Sequence, residues 1–154
     1  MFLPNPQETI RQLAQLLRPG GVVVLQEPAW SLFFPASTAL PLRTACGRLL
    51  CNALKSNGAR PDMGLEVHSA MLDAGLKEPR TVVDIPTTDD PDGGHWFPDL
   101  IATVDARLAG SFDSRNELGQ LSSLGERLTQ EAFAKKVFAP LVPLVGTFAR
   151  SCAV

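Results

Sequence analysis

The clearest signal along the chain is an unbroken apolar run, Val22-Val23-Val24-Leu25, between a Pro19-Gly20-Gly21 turn and Pro28. A β-branched run without alternation predicts a strand covered on both faces. Upstream, Ile10, Leu13, Leu16 and Leu17 recur at helical spacing, and Asn5-Pro6-Gln7-Glu8 supplies a capping residue, a proline for the first helical position and a capping-box acid. Leu17 is expected to end that helix, because Arg18 precedes a proline and is biased out of the helical region. The segment Trp30-Ser31-Leu32-Phe33-Phe34-Pro35 reads as an aromatic turn too short to assign.

Further along, Ser37 to Leu54 predicts a helix with Leu42, Ala45, Cys46, Leu49, Leu50 and Ala53 on one side, stopped by Ser56-Asn57-Gly58. Asp62 then caps a helix running to Ala74, closed by Gly75, with Leu65, Leu72 and Leu76 facing inward. Arg80 to Ile85 is the second strand, stopped by Pro86, and Thr87 to His95 is a polar loop. Phe97, Leu100, Ile101, Val104 and Leu108 mark an amphipathic helix closed by Gly110. Two capping-box patterns, Ser114-x-x-Glu117 and Ser123-x-x-Glu126, divide the span to Lys135 into two short helices. In the last apolar stretch Pro140 and Pro143 confine regular pairing to Leu144–Ala149.

Composition narrows the class. A chain of 154 residues suits one domain with a real core, and 45% hydrophobic against 19% charged residues is ordinary for a globular protein. A formal charge of −2 argues against a nucleic-acid-binding surface. The N-terminal residues carry neither a basic region nor a sustained apolar segment, and no run approaches membrane-spanning length. With Cys46, Cys51 and Cys152 expected as reduced thiols, the reading is a soluble cytoplasmic protein that binds no membrane.

The stretch "LRPGG" followed by an apolar strand ending in Glu27, the segment "PDMGLEVHSAMLDAGLKEPRTVVDIP", and the terminal "FAPLVPLVGTFAR" resemble, in that order, the second half of the class I S-adenosylmethionine-dependent methyltransferases. The resemblance implies an α/β fold: the C-terminal part of a Rossmann-like sheet, strands five, seven and six, with covering helices and a helical lid. Strand seven would run antiparallel between the other two. It divides the single partial domain into 1–30 (helix and fifth strand), 31–61 (lid), 62–86 (helix and sixth strand), 87–136 (helical insertion) and 137–154 (terminal strand). The implied reaction is methyl transfer to a small-molecule substrate, with S-adenosylmethionine as the family's cofactor and residues 30–60 and 93–112 closing over the substrate.

One departure matters. The family holds its cofactor on a glycine-rich loop and a ribose-binding acid, because the backbone must approach closely and a carboxylate must take two hydroxyls. Among this chain's 12 glycines there is no Gly-x-Gly. The chain is therefore expected to lack the cofactor-holding half and to be inactive in isolation. The alternative is a non-catalytic fragment or interaction module, forming a homodimer or complementing another chain through an exposed strand edge.

Three residues are candidates for the substrate side. Glu27 falls where its strand stops, the position at which open α/β sheets place ligand contacts; a solvated residue or helix cap is the other reading. Trp30 and Trp96 offer the flat apolar area of a pocket wall, with ordinary core packing as the alternative. No residue is assigned a catalytic or cofactor-binding role. His68 reads as a satisfied helix residue rather than a base. His95, beside Asp89, Asp90 and Asp92, invites a metal, but the twelfth position counted from Asp90 is Ile101, where a calcium loop needs Glu. Cys46 and Cys51 have no matching ligand pair for zinc, so no metal is expected.

Overall fold

A computed structural model describes residues 5–87, 95–107 and 118–151. The three loop aspartates, Leu108 and Gly110, the Ser114-x-x-Glu117 pattern and Cys152 lie outside the described residues. The fold is α/β. Among the described residues there are six α-helices and a three-stranded sheet: α1 (Pro6–Gln15), β1 (Val22–Pro28), α2 (Trp30–Ala36), α3 (Pro41–Ser56), α4 (Met63–Asp73), β2 (Lys77–Asp84), α5 (Trp96–Arg107), α6 (Leu124–Lys135) and β3 (Leu144–Arg150).

Sheet order departs from chain order. β3, last in sequence, lies between β1 and β2 and is antiparallel to both, so β1 and β2 run parallel to each other. The register places Val23 opposite Ala149, Glu27 opposite Val145, and Val83 opposite the same Val145. β3 begins at Leu144, directly after Pro143, as the loss of backbone donors at the two prolines requires.

α4 packs across all three strands on one face, with α1 beside it. This layer has its own core: Ile10 of α1, Met63, Val67, Ala70 and Met71 of α4, and Val23 and Ala149 of the sheet. Among the described residues no helix covers the opposite face, which corrects the expectation of a strand buried on both sides. Val23 points into the core while Val24, with 65% of its surface exposed, stands on the bare face beside Phe148. Position in the sheet, rather than the apolar run, decides which valines are covered.

The helix faces also need correction. On α4, Leu65 and Leu72 are half exposed, while Leu76, just past the helix end, is buried as expected. The reason is Gly64, which lies against β1 so closely that a Cβ there would stand 2.6 Å from the Glu27 carbonyl oxygen. With Gly64 turned to the sheet, Leu65 is rotated away. On α1 the inward side is buried Ile10 and partly buried Ala14, continued by partly buried Leu17 past the helix end, whereas Leu16 is 80% exposed, because α1 docks on α4 along one narrow seam. Asn5 caps α1 by accepting from the Glu8 amide (3.2 Å), but the Glu8 carboxylate turns to Arg11 and Gln12 instead of closing a capping box. The helix ends at Gln15, and the Gly21 N–H closes the turn onto the Arg18 carbonyl (2.8 Å).

The second core lies among α2, α3, α5 and α6. The stretch that sequence left as an aromatic turn is a helix, α2, whose first amides find distant partners. Ala29 donates to the Pro143 carbonyl (2.9 Å) and Ser31 to the Asp62 carboxylate (2.7 Å). Asp62 thus serves α2 rather than capping its own helix, where it makes no side-chain bond. α3 starts at Pro41, not Ser37; buried Ser37 holds the turn between α2 and α3 through its carbonyl, which accepts from Leu40 N–H and Thr44 Oγ1 (both 2.8 Å). Phe33 lies on Gly47 of α3, where a Cβ would come within 2.3 Å of the ring, so the glycine is what lets α2 sit this close. Phe33 in turn meets Trp30, Phe34 and Phe97 at centroid separations of 6.2, 5.7 and 5.6 Å. Leu121–Ser123 form a 3₁₀ turn leading into α6, and Ser123 makes no cap bond to that helix; its hydroxyl donates to the Gln120 carbonyl.

Candidate functional site

Where the two layers meet, the ends of the strands border a cavity of about 560 Å³. Pro28, the last residue of β1, Pro86, just past β2, and Leu144, the first residue of β3, form its floor. The cavity therefore lies at the carboxyl ends of the two parallel strands, the place at which open α/β sheets bind ligands. One wall is a single face of α5, with Trp96, Leu100, Thr103, Val104 and Arg107 at helical spacing. Trp30 opens the facing wall, and Leu54 and Asn57 at the end of α3 complete it with Leu141 and Val142.

Trp30 and Trp96, expected as pocket walls, are brought to this one cavity from positions far apart in sequence. Trp30 also belongs to the core: it is only 3% exposed, packs edge-on to Phe33, and buries its Nε1–H without an acceptor among the described residues. Trp96 is 36% exposed and keeps surface for a ligand. Glu27 lies half-buried opposite Val145, and the residue of its strand that lines the cavity is Pro28.

Arg107 was not singled out by sequence, yet the signal is present: it stands about three helical turns after Trp96 on the same face. Among the described residues no carboxylate pairs with it. Two other polar lining groups donate to backbone carbonyls one helical turn earlier. Thr103 Oγ1 donates to the Asp99 carbonyl (2.8 Å) and Asn57 Nδ2 to the Ala53 carbonyl (2.9 Å), leaving their oxygens as acceptors. The chemistry on offer is a largely apolar space with one cationic end among the described residues.

The two histidines lie elsewhere. His68 is exposed, and its Nδ1 lies 3.0 Å from Thr81 Oγ1, which in turn meets buried Thr147 at 3.1 Å. His95 borders a separate open depression with Asp99 and Glu126. Among the described residues no group of three His, Cys, Asp or Glu side chains could hold a metal, and no helix is long and apolar enough to cross a membrane.

Arg43 of α3 is almost fully buried, donates through Nη1 to the Pro140 carbonyl (3.2 Å), and lies over the Phe97 ring at 5.4 Å. Burial lowers its pKa from the usual arginine value, and nearby Cys46 and Glu131 partly offset that. Glu131 of α6 accepts from the amides of Leu42 (2.6 Å) and Arg43 (3.1 Å), so one carboxylate caps the start of α3. The adjacent Cys46 thiol is pushed up to about 12, chiefly by burial. A thiol held protonated in this way is no nucleophile.

That shift has a testable sign. The folded pKa lies above the ordinary value of 9.0, so the thiol contributes its stability below that value. The contribution is lost as pH rises toward about 12. At pH 9, iodoacetamide is expected to alkylate Cys46 at least about 100-fold more slowly in folded than in urea-unfolded protein, read by peptide mapping. Similar rates in the two states would refute the buried, protonated thiol.

No protein-family model matches this chain, and no curated protein does.

Proposed function

We propose that this chain forms the acceptor side of an S-adenosylmethionine-dependent, methyltransferase-like fold, and that the cavity between Trp30 and Trp96 holds a small-molecule methyl acceptor. The observation that carries the reading is the sheet: β3 runs antiparallel between parallel β1 and β2, with the cavity at their carboxyl ends. The reading takes β1, β2 and β3 as the strands marked by "LRPGG", by the segment after "LDAGL" and by the terminal apolar stretch. Methyl transfer depends on in-line placement and exclusion of water more than on a dedicated acid or base. The walls from α2, α3 and α5 would supply both, by fixing an acceptor against rigid indole and proline surfaces. The cavity does not suit the cofactor itself. Among the described residues no carboxylate lines it to take ribose hydroxyls, and the chain has no Gly-x-Gly for close backbone approach. We therefore assign no residue to S-adenosylmethionine and expect no micromolar binding of it by the isolated chain.

The test is transfer by native assemblies that contain this polypeptide, captured through an epitope tag. They are incubated with tritiated S-adenosylmethionine and a small-molecule extract of the same cells. Labelled small molecules are expected with the native sequence, and their loss with Leu100→Trp, which fills the cavity. An absence of transfer, or transfer indifferent to the filled cavity, would overturn the reading. It would favour a non-catalytic module pairing through the open edge of β1, beside exposed Val22, Val24 and Phe148.

A further inference from the structure

The chain has two tryptophans, and both line the cavity at the strand ends. Each indole is rigid and flat, and Pro28 and Pro86 below them are rigid rings. Such walls lose little conformational freedom when a planar ligand enters, so they favour aromatic ring systems over flexible chains of equal area. A volume of about 560 Å³ lies within the range of sites for small organic ligands.

Among the described residues the charge at the cavity is one-sided. Among the described residues that line it, Arg107 is the only ionisable side chain, and no described carboxylate pairs with it. A cationic ligand would meet Arg107 and find no counter-charge. A neutral ligand would leave the guanidinium to water. An anionic ligand gains a charge-assisted and potentially bidentate hydrogen bond, for which the planar guanidinium suits a carboxylate.

We propose that the cavity takes an aromatic carboxylate of one or two rings, its rings against Trp96 and Leu100 and its carboxylate at Arg107. The proposal rests on the acceptor-site reading above and adds the class of the ligand.

The experiment uses ¹⁵N-labelled protein, in which the only two indole N–H signals both report on this cavity. It is titrated with 2-naphthoate and, separately, with the neutral isostere 2-naphthamide. Both indole signals are expected to move, with 2-naphthoate binding about tenfold more tightly than the amide. Arg107→Gln, at an exposed position, is expected to weaken 2-naphthoate to the level of the amide and leave the amide unchanged. Equal binding of acid and amide by the native protein, or a preference that survives Arg107→Gln, would overturn the carboxylate class while leaving the acceptor site standing. Indole signals unmoved by millimolar amounts of either compound in a well-dispersed spectrum would overturn both.

Discussion

Replacing Glu131 with alanine is expected to destabilise the protein by about 3 kcal/mol, the combined effect of a lost helix cap and a buried cation left without its nearby carboxylate. α3 starts under unusual conditions. Leu40 at the N-cap makes no side-chain bond, and Pro41 follows at the first helical position. The free amides of Leu42 and Arg43 are met by the two oxygens of one carboxylate arriving from α6, 89 residues away for Leu42. A single ordinary cap is worth about 1 kcal/mol. Here two amides are served in a partly buried place, and the same charge lies near buried Arg43, whose pKa burial already lowers. Breaking a buried charge arrangement from one side costs more than the arrangement contributes, because the remaining charge is stranded. Glu131→Gln keeps one acceptor and loses the charge, so about half the effect is expected. Urea denaturation is the measurement: with a slope near 1.5 kcal/mol/M, Glu131→Ala should lower the midpoint by about 2 M. A shift under about 0.3 M would mean that the contact carries no weight.

Gly64→Val should cost at least about 3 kcal/mol, although helix propensity alone would favour any ordinary residue over glycine by up to about 1 kcal/mol. A Cβ at this position would meet the Glu27 carbonyl oxygen at 2.6 Å, the Pro28 carbonyl oxygen at 2.9 Å and the Val145 Cβ at 3.0 Å. Two of the three are backbone atoms of a paired strand and cannot step aside as a flexible side chain would. α4 must therefore lift away from β1, and the Met63, Val67 and Met71 packing against the sheet is lost with it. The lift begins next to Pro28, which floors the cavity, so ligand binding should fall alongside stability. Leu65→Ala, one residue along and half exposed, is the control and should cost less than about 1 kcal/mol. A Gly64→Val protein as stable as this control would show that the close approach of α4 to β1 is not needed.

These two sites mark the boundary between what could be read from residues and what could not. The three strands and five of the six described helices were legible because each rests on local signals: a β-branched run, a 3.6-residue period, a proline that removes a donor. Pro28, expected to end the first strand, instead lies within β1 and pairs with Leu144. The strand from Val22 was foreseen, yet not which of its valines would be covered. The apolar run is the same whether one face or two are buried, and the answer depends on where α4 lies. α2 was missed because its seven residues carry Pro35 near the end, and amides at its start are held by Asp62 and, just before it, by Pro143 from outside the segment. Leu65 and Leu72 were assigned inward because leucine is the stronger apolar signal. Gly64 decided the rotation of α4 through steric contact with a strand distant in sequence.

The site divides in the same way. Trp30 and Trp96 could be picked out as pocket residues on size and shape alone, but their shared cavity exists only because α5 folds back over the strand ends. Arg107 lay on the face already marked by Trp96 and Leu100. It went unread because a cation at the end of a helix is ordinarily a solvated terminus. Composition and periodicity determined an α/β chain with strands at these positions and an apolar interior, since those properties follow from side-chain chemistry within a few turns. The sheet order, the cap that Glu131 provides and the meeting of Trp30 with the α5 face at one cavity come from tertiary structure. Each is a meeting of groups tens of residues apart, and no local preference encodes it.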